Sequence, residues 1–337
     1  MNRRSLCFIL VVVFVVAFPL ESWAPLVYRP GEGWVYESPG SEGKWTRTRA
    51  KDQLEVAQQA FAKKNYSLAL KAARRTVKVW PLSDSAPKAQ YLLGRGYQAK
   101  GQHEKAFKAY QTLLEKYPKV DNYQEVLARQ FEIANEFLAG RWFRLLGYLP
   151  FFPSMERTAG LLEKVIRNGP YSPVAARAQL NIGAAREKQS SWFNRVDPFR
   201  EAVTAYEKAA DRYHDNPEIA SEALFKTGRA YFKQASKADY DQSMAGKAIA
   251  TFGDFLTLFP DDSRGPEARE MISALKTEQA RGAYTTARYY EKKKKWKAAL
   301  IYYNEATVKD PDSSYAQVAK QRMEAIRKEH IQPTAQR

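Results

Sequence analysis

Small and aromatic residues recur at fixed positions along this chain. The clearest copy of the pattern lies in residues 91–118, where two segments with helical periodicity follow one another. Its recurring positions are Gly94, Tyr97, Ala106, Tyr110 and Pro118. A small residue lets two antiparallel helices approach closely, an aromatic residue fills the gap to the next pair, and a proline ends the second helix. The pattern therefore predicts a pair of packed helices.

The same positions return in six copies that begin near residue 50. A second clean copy near the C-terminal end has Ala287 and Tyr303 in register with Gly94 and Tyr110. The spacing is that of the tetratricopeptide unit, and a polar last helix over 315–328 would cap the stack, as solenoids require. We therefore predict an all-α fold: a right-handed superhelical solenoid of about six tetratricopeptide-like helix pairs.

The three central copies are longer than the others. Tyr97 precedes Ala106 by 9 residues, whereas the corresponding intervals are 22, 16 and 17. These intervals run from Phe137 to Ala159, Arg186 to Ala202 and Tyr231 to Ala248. The central repeats thus carry insertions of 13, 7 and 8 residues between their two helices, and such insertions are expected to line up on one edge of a solenoid.

Two of these insertions place Trp-Phe beside arginine, which is the chemistry enriched at the centres of protein interfaces. We call this predicted docking surface the aromatic edge. It comprises Arg141, Trp142, Phe143, Arg144, Phe151, Phe152, Trp192, Phe193 and Arg195. The alternative is that the aromatic side chains of 141–153 fold back over their own helices as additional core, and the sequence leaves both open.

A second candidate surface is the groove lined by the first helix of each pair. A spacing of four residues puts an aromatic position and an arginine position on one helical face. The residues predicted to bind peptides there are Tyr91, Arg95, Phe131, Phe225, Arg229, Tyr284 and Arg288. Arginine beside aromatic rings suits peptide side chains and carboxylates. The alternative is that the rings pack between helices and the arginines are only solvated.

The ends of the chain have a different composition from the repeats. Residues 1–24 resemble an export signal, with Arg3 and Arg4 before an apolar run over 6–18; an uncleaved anchor is the alternative. Cys7 stands at the front of that run, not where a lipoprotein's modified cysteine lies, so no lipid anchor is expected. Residues 25–49 predict an extended arm whose Trp34 and Trp45 dock on the first helices of this same chain. The repeat domain is predicted over 50–330 and a flexible tail over 331–337.

Charge and the histidine pattern limit the function. The chain carries 54 Lys and Arg against 37 Asp and Glu, a net charge of +17, which predicts anionic partners. Its three histidines, His103, His214 and His330, form no catalytic or metal-binding spacing. We expect no enzyme activity, no cofactor, no metal and no nucleic-acid partner.

The segment 283–316, AYTTARYYEKKKKWKAALIYYNEATVKDPDSSYA, resembles the BamD (YfiO) outer-membrane protein assembly factors. The resemblance extends over about residues 50–320. It implies a periplasmic scaffold beneath the outer membrane that partners the subunits of the β-barrel assembly machinery and receives unfolded outer-membrane proteins through their C-terminal aromatic signal. An anionic membrane surface is a further candidate partner. The alternative function is a scaffold for another envelope complex, in cell-wall synthesis or division.

Overall fold

The computed structural model of the protein describes residues 26–29, 33–36, 45–145, 149–152, 154–189, 197–237 and 242–331. These residues contain thirteen α-helices, two antiparallel two-stranded hairpins and a π-helical turn over Arg327–Ile331. The chain divides into two compact units, Met1–Tyr117 and Pro118–Arg337, here called unit 1 and unit 2.

Unit 1 contains two helix pairs and one hairpin. The hairpin consists of β1 (Leu26–Arg29) and β2 (Gly33–Tyr36). The helices are α1 (Ala50–Ala62), α2 (Tyr66–Val79), α3 (Ser85–Ala99) and α4 (His103–Lys116).

Unit 2 contains four helix pairs, a second hairpin and a last helix. Its elements are α5 (Tyr123–Leu138), β3 (Phe143–Leu145), β4 (Leu149–Phe152), α6 (Met155–Asn168), α7 (Ala175–Glu187), α8 (Pro198–Arg212), α9 (Pro217–Lys237), α10 (Gln242–Leu258), α11 (Gly265–Lys292), α12 (Trp296–Lys309) and α13 (Ser314–Ile326).

The predicted all-α class and the six tetratricopeptide-like helix pairs are confirmed. The outer side of the last helix, α13, is polar, with Gln317, Gln321 and Glu324 exposed, as expected of a capping helix. The two hairpins are additions that the helical pattern did not predict. The 13-residue insertion forms β3 and β4, which pair in antiparallel fashion with a shift of register after Phe143.

The third insertion also differs from the prediction, because it lengthens helices as well as the turn between them. The helices α9 and α10 have 21 and 17 residues, whereas α3 and α4 of the clean copy have 15 and 14. Of the residues added at the end of α9, Ala235 packs in the cluster that contains Ala245 of α10 and Leu275 of α11. The extra turn of α9 therefore continues the apolar side of that helix.

A glycine opposite an aromatic ring sets the approach of the two helices in three pairs. A Cβ atom added at Gly94 would lie 2.2 Å from the ring of Tyr110, and one at Gly183 would lie 2.3 Å from the ring of Tyr206. In the α9–α10 pair, Gly228 faces Phe252, at 2.7 Å. The insertions of 7 and 8 residues in the last two pairs therefore leave this core contact in place.

Three of the first helices end in the same turn. After α1, α3 and α11, the residues Lys64, Gly101 and Lys294 adopt a left-handed backbone with φ of 59°, 66° and 58°. In each turn the next N–H donates to a carbonyl five residues earlier, as from Gln102 to Tyr97 at 2.9 Å. This is the Schellman-type helix end, which favours glycine at the left-handed position.

The predicted docking of Trp45 on the first helices is confirmed. Its ring packs against the cluster that contains Leu54 and Ala57, with the Lys71 ammonium 4.5 Å from the ring centroid. The fully buried Gln53 donates to the Trp45 carbonyl at 3.1 Å. The side chain of Trp34, the export signal over 1–24 and the tail beyond 331 lie outside the described residues, so these predictions stay predictions.

Candidate functional site

The first helices of the four pairs in unit 2 lie side by side. We call α5, α7, α9 and α11 the A-helix row; each of them contacts the next. Polar side chains join neighbours: Asn181 donates to Asn135 at 2.7 Å, and the Lys233 ammonium lies 3.0 Å from Glu187. These contacts fix the relative positions of the helices on which the predicted groove residues stand.

Arg229 of α9 and Arg288 of α11 are the two predicted groove arginines of unit 2, and both are exposed. Each follows its aromatic position, Phe225 or Tyr284, by four residues, which is one helical turn. Within the described part of unit 2, neither guanidinium forms an ion pair with a carboxylate. The A-helix row thus presents two guanidinium groups to solvent, and Glu291 lies near enough to Arg288 to interact with it electrostatically.

Phe225 is a correction to the predicted groove. Its ring is 4% exposed and packs between Phe252 and Phe255, with centroid distances of 5.8 and 5.4 Å. The Arg264 guanidinium covers it at 5.2 Å. Phe225 is therefore part of the core. It cannot contact a peptide, because Phe252, Phe255 and Arg264 cover its ring.

The other predicted aromatic residues of the A-helix row, Phe131 and Tyr284, are half-buried. The ring of Tyr284 contacts Tyr303 and Tyr315 at centroid distances of 5.6 and 5.8 Å, so part of it packs within the repeat. The exposed part of the Tyr284 side chain lies one helical turn before Arg288.

Unit 1 carries the remaining two predicted groove residues. Tyr91 is half-buried against Tyr110, with centroids 6.0 Å apart. Arg95 is exposed, and its guanidinium lies 5.1 Å from the ring of Phe61. The same pairing of arginine and aromatic ring thus recurs within this unit.

The aromatic edge is corrected at Phe143. This residue is 2% exposed, because its ring stacks on Phe137 of α5 at 4.1 Å and the Arg157 guanidinium covers the other face at 4.3 Å. The alternative interpretation, extra core, therefore holds for Phe143. The stacking follows from β3, which returns the chain over the end of α5.

Trp142 retains the predicted exposure, with 55% of its surface open to solvent. The preceding Arg141 is held by Glu136 at 3.1 Å. Burial, opposed by Arg141, raises the pKa of the Glu136 carboxyl above its usual value. The side chains of Arg144, Phe151 and Phe152, and the whole of Trp192, Phe193 and Arg195, lie outside the described residues, so their place on the edge stays a prediction.

A row of buried glutamines was not anticipated from the sequence. Gln53, Gln90, Gln130 and Gln179 each precede the small residue of their repeat by four positions and are buried. The amide groups of Gln90 and Gln179 donate to the carbonyls of Ala109 and Ala205 on the paired helix. The signal was available, because a glutamine repeated at one position of an apolar face predicts a satisfied core amide.

Arg264, between α10 and α11, forms a polar cluster with Asp262 and Ser221. It donates to Asp262 at 2.8 and 2.5 Å and to the Ser221 hydroxyl at 3.0 Å. These hydrogen bonds, against the effect of burial, hold the pKa of Asp262 at about 2. The cluster ties the turn between α10 and α11 to the start of α9.

Metal-binding clusters and membrane-spanning helices are both absent from the described residues. No three His, Cys, Asp or Glu side chains there gather into a group that could hold a metal ion. No helix in the same part of the chain has the length and apolar character needed to cross a bilayer.

Comparison with known proteins adds a family. Residues 156–310 match the family model described as YfiO, outer membrane lipoprotein, and residues 88–119 match a tetratricopeptide-repeat model. No curated protein is similar enough to the chain to count as a relative. The two matched families consist of non-enzymatic scaffold proteins, and the first indicates the cell envelope.

Solved structures similar to this chain include repeat proteins of low sequence identity. The C-terminal part of a tetratricopeptide repeat-containing protein from Cytophaga hutchinsonii is 16% identical, with 81% of this chain and 88% of that one covered and a TM-score of 0.36. The pilF protein of Pseudomonas aeruginosa is 13% identical, with coverages of 81% and 97% and a TM-score of 0.29. The MamA protein is 13% identical, with coverages of 64% and 94% and a TM-score of 0.35.

The repeat register, the helix pairs and the two family matches lead to one classification. The chain is built of tetratricopeptide-like helix pairs, and its residues 156–310 are similar to the YfiO outer membrane lipoprotein family.

Proposed function

We propose that this protein is a non-catalytic scaffold in the assembly of outer-membrane β-barrel proteins, and that its A-helix row binds partner polypeptides. One observation carries the proposal: Arg229 and Arg288 occupy matching positions on adjacent first helices, are exposed, and form no direct ion pair in the described part of unit 2. A bound carboxylate would gain charge-assisted hydrogen bonds, which arginine can make in bidentate form.

The favoured ligands are unfolded outer-membrane proteins and subunits of the assembly machinery. A peptide that ends in an aromatic residue offers a ring and a free carboxylate together. The exposed part of Tyr284 lies one helical turn from Arg288, so the ring and the carboxylate could be received side by side. The family match over 156–310 covers both residues.

The test compares peptides that end in phenylalanine as free acid or as amide. We expect the free acid to bind more tightly, and Arg229→Gln or Arg288→Gln to weaken it by about tenfold, because a hydrogen bond to a charged group contributes about 1.5–3 kcal/mol. Arg167→Gln on α6 is the matched control, since Arg167 is exposed on a second helix. Equal binding of acid and amide would contradict the proposal.

The proposed cellular location follows from the same proposed role in outer-membrane protein assembly. We propose an exported protein that is associated with the outer membrane from the periplasmic side and carries no lipid on Cys7. Mass measurement of the mature N-terminus tests this: a retained Met1 means an anchor, and a lipidated residue contradicts the proposal.

The partner is tested through Trp142, which is the exposed aromatic residue described on the aromatic edge. Co-purification from detergent-solubilised membranes should recover a β-barrel insertase with the wild-type chain and less of it with Trp142→Ala. Recovery of cell-wall enzymes alone would instead support the alternative envelope scaffold. Binding to anionic vesicles that depends on Trp142 would assign this residue to a membrane surface.

A further inference from the structure

A cleft of about 250 Å³ opens between α9, α10 and α11 of unit 2. One wall is formed by Phe232, Ala235 and Ser236 of α9 together with Ala245 of α10. The other wall is the middle of α11, where the small residues Ala274 and Gly282 leave space.

The floor of the cleft is apolar. It is formed by Phe232, Ala235, Ala245 and Leu275, the last of which is 4% exposed. At the rim, Glu278 and Arg281 pair with each other at 2.8 Å. Because the rim charges compensate each other, the cleft favours an uncharged occupant.

One buried polar group distinguishes this cleft from an ordinary packing defect. Gln279 lines it, is 8% exposed, and makes no hydrogen bond through its side chain within the described residues. The buried Gln53, Gln90 and Gln179, by contrast, each donate to a backbone carbonyl. The Gln279 amide is not among the fully enclosed groups of the described residues that lack a partner, so it opens to the cleft and a ligand there can hydrogen-bond to it.

We propose that this cleft receives one tyrosine side chain of a partner protein, with the ring on the apolar floor and the hydroxyl hydrogen-bonded to the Gln279 amide. The volume suits a single aromatic side chain, whereas small-molecule sites are typically about 300–1,000 Å³. An aromatic body with a polar tip matches an apolar floor with one polar group, and such side chains are the usual anchors of interfaces. The site needs no carboxylate on the partner, so it is independent of the peptide binding proposed for Arg229 and Arg288.

The test uses N-acetyl-tyrosinamide, N-acetyl-phenylalaninamide, N-acetyl-leucinamide and decanoate as probes of the full chain. Binding is followed by nuclear magnetic resonance of the Gln279 side-chain amide and the Gly282 backbone amide. We expect saturable binding of the tyrosine probe. It should bind about threefold to tenfold more tightly than the phenylalanine probe, because its hydroxyl adds one hydrogen bond. The leucine probe should bind more weakly than both.

Three variants complete the test. Gln279→Leu should remove the preference for tyrosine over phenylalanine but leave phenylalanine binding in place. Ala274→Phe should abolish binding of all probes by filling the cleft, and it should fold normally because Ala274 is exposed. Gln317→Leu, the same change at an exposed site on α13, should alter nothing.

Three outcomes would overturn the proposal. No saturable shift with the tyrosine probe would mean that the cleft is not a side-chain site. Equal binding of the tyrosine and phenylalanine probes would exclude the role of Gln279. Tighter binding of decanoate would assign the cleft to a hydrocarbon chain.

Discussion

The hydroxyl of Tyr303 donates a hydrogen bond to the carboxylate of Glu291, which also accepts one from Arg322 of the last helix. Burial works to raise the pKa of Glu291, but these two hydrogen bonds and the charges of Arg322 and Arg288 outweigh it and hold the pKa below its usual value. Burial and the bond to Glu291 raise the pKa of Tyr303. The last helix pair is thus joined to α13 by a charged, partly buried network.

This network predicts that Arg322 contributes to the stability of the packing between α13 and the last helix pair. Replacement of Arg322 by Gln should lower the free energy of unfolding by about 1–2 kcal/mol, because a bond to a charged group is lost next to a half-buried carboxylate. Arg327→Gln, also exposed near the end of α13, is the control. Urea unfolding followed by circular dichroism measures both, and equal midpoints for Arg322→Gln and wild type would contradict the network's role.

The close approach of Gly183 to Tyr206 predicts that a methyl group added at position 183 destabilises the protein. Alanine normally stabilises a helix interior relative to glycine by about 1 kcal/mol. At Gly183, however, the added Cβ would meet the fully buried ring of Tyr206, so Gly183→Ala should destabilise the protein by about 1–3 kcal/mol.

The control for that variant is Gly160 of α6, where an added Cβ meets nothing within 4 Å. Gly160→Ala should therefore stabilise by up to about 1 kcal/mol. Unfolding midpoints in urea give both values, and a shift in the same direction for the two variants would mean that the close approach at Gly183 is absent.

The left-handed turns predict stabilising changes. Lys64 and Lys294 adopt a backbone that favours glycine, so Lys64→Gly and Lys294→Gly should each raise the free energy of unfolding by about 0.5–1 kcal/mol. Gly101→Ala, at the matching turn after α3, should lower it by a similar amount. The same change one residue earlier, Lys63→Gly, is the control; it should not stabilise, because Lys63 has a φ of −76°.

The lowered pKa of Asp262 predicts that the free energy of unfolding depends on pH. Its pKa is about 2 in the folded protein against an ordinary value of 3.8, so the unfolded chain binds more protons between these values. The contribution, about 1–2 kcal/mol, is therefore present above about pH 4 and is lost as the pH falls toward 2. Asp262→Asn should flatten the dependence of unfolding free energy on pH in that range.

The neighbouring Asp261 provides the control for that measurement, because it is exposed and forms no ion pair within the described residues. An Asp261→Asn chain should keep the wild-type pH profile. Parallel profiles for wild type and Asp262→Asn would show that the bonds from Arg264 do not stabilise the fold.

The sequence predicted the helix pairs well because their determinants are local. A glycine or alanine facing an aromatic residue recurs at one spacing, and the physical reason, close approach of two helices, is the contact seen between Gly94 and Tyr110. The role of α13 as the capping helix was likewise predicted from its polar residues, which are also a local feature. Trp45 was also placed correctly, although the buried Gln53 that holds its carbonyl was not foreseen.

The candidate site was predicted less completely because exposure depends on nonlocal packing. Phe225 and Tyr284 have the same position in the repeat, yet Phe225 is covered by Phe255 and Arg264. Phe143 and Trp142 are adjacent in the sequence, but the hairpin turns one ring onto Phe137 and leaves the other exposed. No periodicity along a single helix distinguishes these cases.

Insertions of 7 and 8 residues leave the contacts of Gly183 with Tyr206 and of Gly228 with Phe252 in place. The turn between the two helices of a repeat is therefore a permissive position in this scaffold. A short epitope or a fluorophore-labelled cysteine placed between α7 and α8 should report on binding to the A-helix row while the repeat core stays intact. The same tolerance allows a repeat protein to gain a new surface by elongation of one turn, without redesign of its interior.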